Sequence, residues 1–453
     1  MEKQLQEQTL WGHPKGLYIL FFTELWERFS YYGMRAILIL YLTAKATDSN
    51  AGLGWDKVSA LELYGWYTMF VYVLSVPGGL LADRLLGQKK TVMLGGFLLV
   101  AGHIILAVDN ITAFYAGLVL IVLGVGALKP NVSTMVGGLY NKGDAKRDTA
   151  FTIFYIGINV GAFIAPLIVG YVGEVINWHY GFGLAAIGMT FGQIVYIWGQ
   201  KYLKEVGNFV PVVREKGTNK KVPLTAIEKD RMIVLILSFI IVIVFWGAYE
   251  QAGGLMNLYA RDKINRVLFG FTIPTSFLQA LHAFYVILFG VPVAWFWTRW
   301  RKKGKENSSL FKMGLGTIIT GLGFLLLTQA AIETTVSLDG KASIYWLFGA
   351  YLLHVIGELS ISPVALSFIT KLAPVKYASL MMGTYFMVSG IGNKLAGYIG
   401  EAAQNAGEYA IFMSVFIFCA SFGLLLIIFV KKLKKLTHGA DDVDEKITII
   451  EAE

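Results

Sequence analysis

The chain has 453 residues, 56% of them hydrophobic and only 15% charged, and its mean hydropathy is +0.59. A soluble domain carries about 25% charged residues, so the composition excludes a water-soluble globular class. The net charge of +9 needs no nucleic-acid partner, because the positions of the cations along the chain account for it.

The first fourteen residues are polar and mixed in charge, without the short apolar core and small-residue cleavage site of a secretory signal. Twelve apolar stretches follow, at roughly 15–44, 60–83, 91–108, 112–139, 149–173, 181–199, 231–259, 271–298, 313–332, 343–370, 377–400 and 409–430. Met232 to Tyr249, Met313 to Ile332 and Tyr409 to Val430 contain no Asp, Glu, Lys or Arg. Each matches the ~20 residues that a helix needs to cross the apolar slab of a bilayer. Only helices or a closed barrel satisfy their backbone inside lipid, and barrel strands alternate over ~10 residues. The expected fold is therefore all-α, a polytopic membrane protein of twelve transmembrane helices. With both termini cytoplasmic, the inside segments hold 29 of the 39 Lys and Arg and the outside loops hold 6. That bias sets the orientation.

The longest polar stretch, 201–230, divides six spans from six. The expected organisation is an N-terminal six-helix bundle (1–200), a cytoplasmic linker (201–230), a C-terminal six-helix bundle (231–436) and a cytoplasmic tail (437–453). The halves echo each other: GALKPNVS from Gly126 stands in span 4 where GELSISP from Gly357 stands in span 10. Repeats of this kind belong to transporters, which hold substrate near the midplane between the halves.

Charges inside spans are the candidate functional groups, since each costs about 2.5–3.5 kcal/mol at mid-membrane. They are Glu24, Glu27, Arg28, Arg35, Lys129, Glu250, Glu358 and Lys394, with Glu62 near the outer end of span 2. In span 1, Glu24, Glu27, Arg28, Tyr31 and Arg35 fall within one arc of about 100°. Desolvation favours a neutral carboxyl and a nearby guanidinium favours the ionised one. A carboxyl held between these terms takes up or releases a proton when the arginine changes partner. A cluster that only fixes helix packing is the competing reading. Lys129 precedes Pro130 and Glu358 lies about a turn before Pro363, so each sits beside a helix break suited to bending. Together they could capture a zwitterion, carboxylate on Lys129 and amine on Glu358. Arg35 with Glu250, Lys129 with Glu358, and Lys57 with Asp262 are the expected gating ion pairs. The histidines show no metal-ligand spacing, Cys419 is alone, and no phosphate-cradling loop or nucleophile elbow is present. No enzyme, metal site or ATP-driven pump is expected.

These motifs resemble the proton-coupled oligopeptide transporter (POT/PTR) family of the major facilitator superfamily. ELWERFSYYG in span 1, GGLLADRLLG after span 2, LKPNVS from Leu128, FYIGINVGAFIAP from Phe154, FWGAYEQ in span 7 and GELSISP carry the resemblance. It covers nearly the whole chain and implies a major facilitator fold of two six-helix bundles. It further implies import of di- and tripeptides by alternating access, with protons as coupling ion, no cofactor, and a monomer in the cell membrane. By the resemblance Glu24, Glu27 and Arg28 couple protons, and Tyr31, Tyr32, Arg35, Tyr72, Lys129, Asn159, Trp246, Glu250 and Glu358 contact substrate. His282, Tyr385 and Ser389 join that site. His282 stands where many members carry Asn, and Tyr385 where Trp is frequent. Leu61 occupies the neighbourhood of the span 2 histidine that animal relatives use, which leaves proton coupling to carboxylates. The 201–230 linker is too polar for the two extra helices of many bacterial relatives. The alternatives are the same fold carrying another solute (nitrate, a drug or an amino-acid derivative) and a nontransporting receptor.

Overall fold

The structure, a computed structural model, describes residues 9–141, 144, 146–209, 224–374 and 377–441. The middle of the expected linker and most of the expected tail lie outside the described residues. The helices are α1 (Lys15–Thr43), α2 (Lys57–Val73), α3 (Ser75–Leu81), α4 (Gln88–Leu106), α5 (Ile111–Gly138), α6 (Lys146–Tyr171) and α7 (Trp178–Leu203). There follow α8 (Ala226–Tyr249), α9 (Leu255–Lys263), α10 (Ala280–Lys302), α11 (Ser309–Val336), α12 (Tyr345–Leu372), α13 (Ala378–Ala406) and α14 (Glu408–Leu436). Among the described residues, 10 helices or near-continuous helical runs are long and apolar enough to cross a membrane. α1 and α13, of 29 residues each, are also long enough and complete the expected twelve. They carry Glu24, Glu27, Arg28 and Arg35, and Lys394 and Glu401, and these charges lower their hydropathy.

Local chemistry sets the ends of these helices. Asn110 caps α5 by accepting from the amides of Thr112 (2.9 Å) and Ala113 (3.1 Å), and Asn177 caps α7 in the same way. Thr225 and Glu228 form a capping box at the start of α8. A π turn, Ala82–Leu86, ends at Gly87 with φ 76°, a left-handed conformation that glycine adopts at little cost. A second π turn, Val172–Ile176, follows α6.

The chain forms two compact units, Met1–Arg214 with Arg266–Phe284, and Glu215–Asn265 with Tyr285–Glu453. In the first unit α1 packs along α6 and α7, while α5 packs on α3 and α4. Small residues bring these helices close, as membrane interfaces favour. A Cβ at Gly161 would meet Arg28 Cβ at 3.1 Å, and one at Gly192 would meet Trp26 Cβ at 2.9 Å. Arg266–Phe284 belongs to this unit because the Glu174 carboxylate accepts the amides of Thr275 and Ser276, both at 2.8 Å, and lies 3.8 Å from Arg266. In the second unit Phe245, Leu310, Ile361 and Phe368 centre an apolar core contributed by α8, α11 and α12. Cys419 of α14, 1% exposed, packs against Gly321 of α11.

Candidate functional site

In the first unit the charged arc of α1 is buried: Glu24 is 2% exposed, Glu27 0% and Arg28 3%. Arg28 Nε donates to Glu27 Oε2 and lies 3.2 Å from Glu24 Oε1 one turn back. Glu24 Oε2, Glu27 Oε1 and Arg28 Nη2 have no hydrogen-bond partner among the described residues. A dry site left in that condition costs about 1–3 kcal/mol per polar group. The Arg28 guanidinium rests over the rings of Tyr31 (5.4 Å) and Tyr32 (5.8 Å), and Arg35 lies 5.9 Å from both Tyr32 and Tyr64. Tyr64 also accepts a hydrogen bond from Arg35 Nε at 2.6 Å. Lys129 Nζ sits 3.9 Å from the centre of the Tyr72 ring. A cation over an aromatic face gains up to about 2 kcal/mol when desolvated. Lys129 is within electrostatic reach of Glu24, Glu27 and Arg28, so spans 1, 2 and 4 contribute to one polar cluster.

The position of Lys129 follows from α5. Pro130 lacks an amide, which leaves the Gly126 carbonyl without its helical donor. Gly78 of α3 packs on that carbonyl, and a Cβ at Gly78 would overlap it. Asn131 Nδ2 then donates to Ala127 O (2.7 Å) and to Gly78 O (3.3 Å), tying α5 to its neighbour. Asn159, expected to touch substrate, is buried and donates to Tyr155 O of its own helix at 2.9 Å. His282 lies near the start of α10, in the stretch that belongs to the first unit.

In the second unit α8 ends in a 3-10 turn, Glu250–Ala252. Glu250 is 5% exposed, and Gln251 donates to Gly247 O (3.0 Å) and to Ala396 O of α13 (2.9 Å). Trp246 and Tyr249 meet edge to face at 5.4 Å, and the Tyr249 hydroxyl donates to Glu358 Oε2 at 2.7 Å. Tyr385 and Ser389 are buried one turn apart on α13, with the Ser389 hydroxyl donating to Tyr385 O. Lys394 pairs with Glu401 at 3.4 Å and lies over Tyr398. Asp262 is paired by its neighbour Arg261 at 2.7 Å, and Lys57 begins α2 behind the capping residue Asp56. Each of the three expected gating pairs takes one residue from each unit, and the structure places these residues within their own units.

Sequence reasoning missed Tyr64, about two turns before Tyr72 on α2, and Tyr249, one residue before Glu250. It also gave no attention to His103 in the third apolar stretch. His103 lies inside α4, fully buried, with both ring nitrogens unpartnered among the described residues.

Buried ion clusters on long apolar helices define a multi-pass transport protein rather than an enzyme site. Comparison with known proteins narrows this. The PTR2 model, described as POT family, matches residues 89–227 and 210–412. A di-/tripeptide transporter from Lactococcus lactis subsp. cremoris is 37% identical, covering 95% of this chain and 98% of the relative. The peptide transporter YePEPT of Yersinia enterocolitica is 32% identical over 95% of this chain and 97% of its own length. Among solved structures, a POT peptide transporter in complex with alafosfalin superposes with a TM-score of 0.88 at 33% identity, covering 94% and 96% of the two chains. A POT family transporter in complex with 5-aminolevulinic acid superposes with a TM-score of 0.87 at 28% identity, covering 94% and 98%. The chain belongs to the POT family, and is a multi-pass protein of the cell membrane.

Proposed function

We propose that this protein imports di- and tripeptides by proton-coupled symport through alternating access, as a monomer in the lipid bilayer with protons as the coupling ion and no cofactor. The observation that carries the reading is the buried trio Glu24, Glu27 and Arg28 with the half-buried Lys129 within electrostatic reach of it. With all four ionised its charge balances. A proton taken by one carboxylate leaves one positive charge in excess, and an uncompensated buried charge costs about 3–5 kcal/mol. The free carboxylate of a peptide cancels that excess at Lys129 and Arg35, so proton and peptide each favour the binding of the other. Glu358, oriented by Tyr249, offers an anion for the peptide amine. Tyr31, Tyr32, Tyr72, Asn159, Trp246, His282, Tyr385 and Ser389 supply aromatic and polar surface for the rest of the ligand. The names of the Lactococcus and Yersinia relatives support the same cargo.

The test is uptake of a labelled dipeptide into proteoliposomes with and without an inward proton gradient. Accumulation should require the gradient and be competed by di- and tripeptides, not by single amino acids or nitrate. Binding without accumulation would leave a receptor, and competition by nitrate would give the fold another cargo.

A further inference from the structure

We propose that the second unit carries a separate binding site for a phosphate-bearing anion at its cytoplasmic end, suited to the headgroup of an anionic phospholipid. A cavity of about 290 Å³ lies where the ends of α10, α12 and α14 meet the start of α11. Arg301, Lys305, Lys312, Lys371 and Lys434 line it against two acids, Glu306 and Asp441, which leaves three positive charges in excess. Both acids are engaged. Asp441 accepts the Ser309 amide (2.8 Å) and hydroxyl (2.6 Å), and Glu306 accepts the Ser308 amide (2.9 Å). Burial pushes the Glu306 carboxyl up, but the hydrogen bond from the Ser308 amide, with the Lys434 charge, holds it below its usual range. It therefore stays an anion and does not relieve the positive excess by binding a proton.

The cavity also has an unfilled polar group. Ser308, 6% exposed, lines it with a hydroxyl outside hydrogen-bond geometry to any described atom, Glu306 included. That hydroxyl and the surrounding cations can donate to phosphate oxygens together. The depth is right for a headgroup. Trp295, 60% exposed, and Phe296 stand on the last turns of α10, and Trp300 stacks on Phe311 beside the Glu306 loop. Exposed aromatics of this kind sit at the membrane–water boundary. By the Lys and Arg bias this end faces the cytoplasm, where the leaflet is anionic and basic pockets between helices take acidic headgroups. Nothing in the peptide reading uses these residues.

The experiment measures binding of short-chain phosphatidylglycerol and of inorganic phosphate to the purified full chain in phosphatidylcholine nanodiscs, by native mass spectrometry and calorimetry. Wild type should bind the lipid, and Lys371→Gln with Lys434→Gln should weaken it about thirtyfold, at about 1 kcal/mol per cation. Lys371→Arg with Lys434→Arg should restore binding, which separates lost charge from lost folding. Inorganic phosphate binding as tightly, with the same sensitivity to these substitutions, would make free phosphate the source while upholding the site. Absence of both ligands from wild type, or undiminished binding by a folded Gln variant, would overturn the proposal.

Discussion

At the residue scale, one guanidinium is shared by two carboxylates. Glu27 is fully buried and in direct contact with Arg28, so its neutralisation upsets the balance. Glu27→Gln should abolish gradient-driven peptide accumulation while leaving counterflow exchange partly intact, because exchange needs the cavity but no net proton movement. Normal accumulation by that variant would remove Glu27 from the coupling. Tyr64 acts one step away: its hydroxyl accepts from Arg35 while its ring faces the same cation. A hydrogen bond to a charged group is worth about 1.5–3 kcal/mol. Tyr64→Phe should therefore raise the half-saturating peptide concentration about tenfold or more. A half-saturation equal to wild type would show that Arg35 is positioned by other contacts.

At the scale of elements, the close packing of α5 on α3 depends on Gly78 as well as on Pro130. A methyl at Gly78 overlaps the Gly126 carbonyl, whereas one at Gly79 meets nothing within 4 Å. Gly78→Ala should cost about 1–3 kcal/mol of packing and displace Lys129 and Tyr72, lowering both melting temperature and uptake. Gly79→Ala should change neither for the worse, and equal behaviour of the two variants would refute the close-contact account. The sequence made α1 legible, since charges in an apolar helix are rare and 100° spacing places them on one face. Lys129 and Glu358 were legible for the same reason. Tyr64 and Tyr249 were not, because tyrosine is ordinary in a chain that is 14% aromatic. Their contacts form only once α2 lies beside α1 and α12 beside α8. The capture of Arg266–Phe284 by the first unit was illegible too, as it depends on two backbone amides that look alike in any sequence.

For the whole molecule, that capture is a tertiary joint far apart in the chain. Glu174 closes the start of the segment before α10 with two charge-assisted bonds to amides that the following helix cannot use itself. Glu174→Ala should release residues 266–279 without unfolding α1 to α7. Hydrogen–deuterium exchange would show faster labelling in 266–279 and unchanged protection in the first unit's helices. Protection unchanged in both would mean that the hairpin Val267–Leu268 with Phe271–Thr272 holds the segment unaided. The apolar runs made the twelve spans legible, because the bilayer imposes length and apolarity on every helix that crosses it. What they left unspecified is which segment packs with which bundle.

The solitary thiol of Cys419, sealed between α14 and α11, has a practical corollary. Maleimide reagents have no native target to reach, so the natural chain serves as its own unreactive background. Single cysteines placed at the ends of α1 or α10 can be alkylated or spin-labelled one at a time, and the conformational cycle followed without first re-engineering the protein.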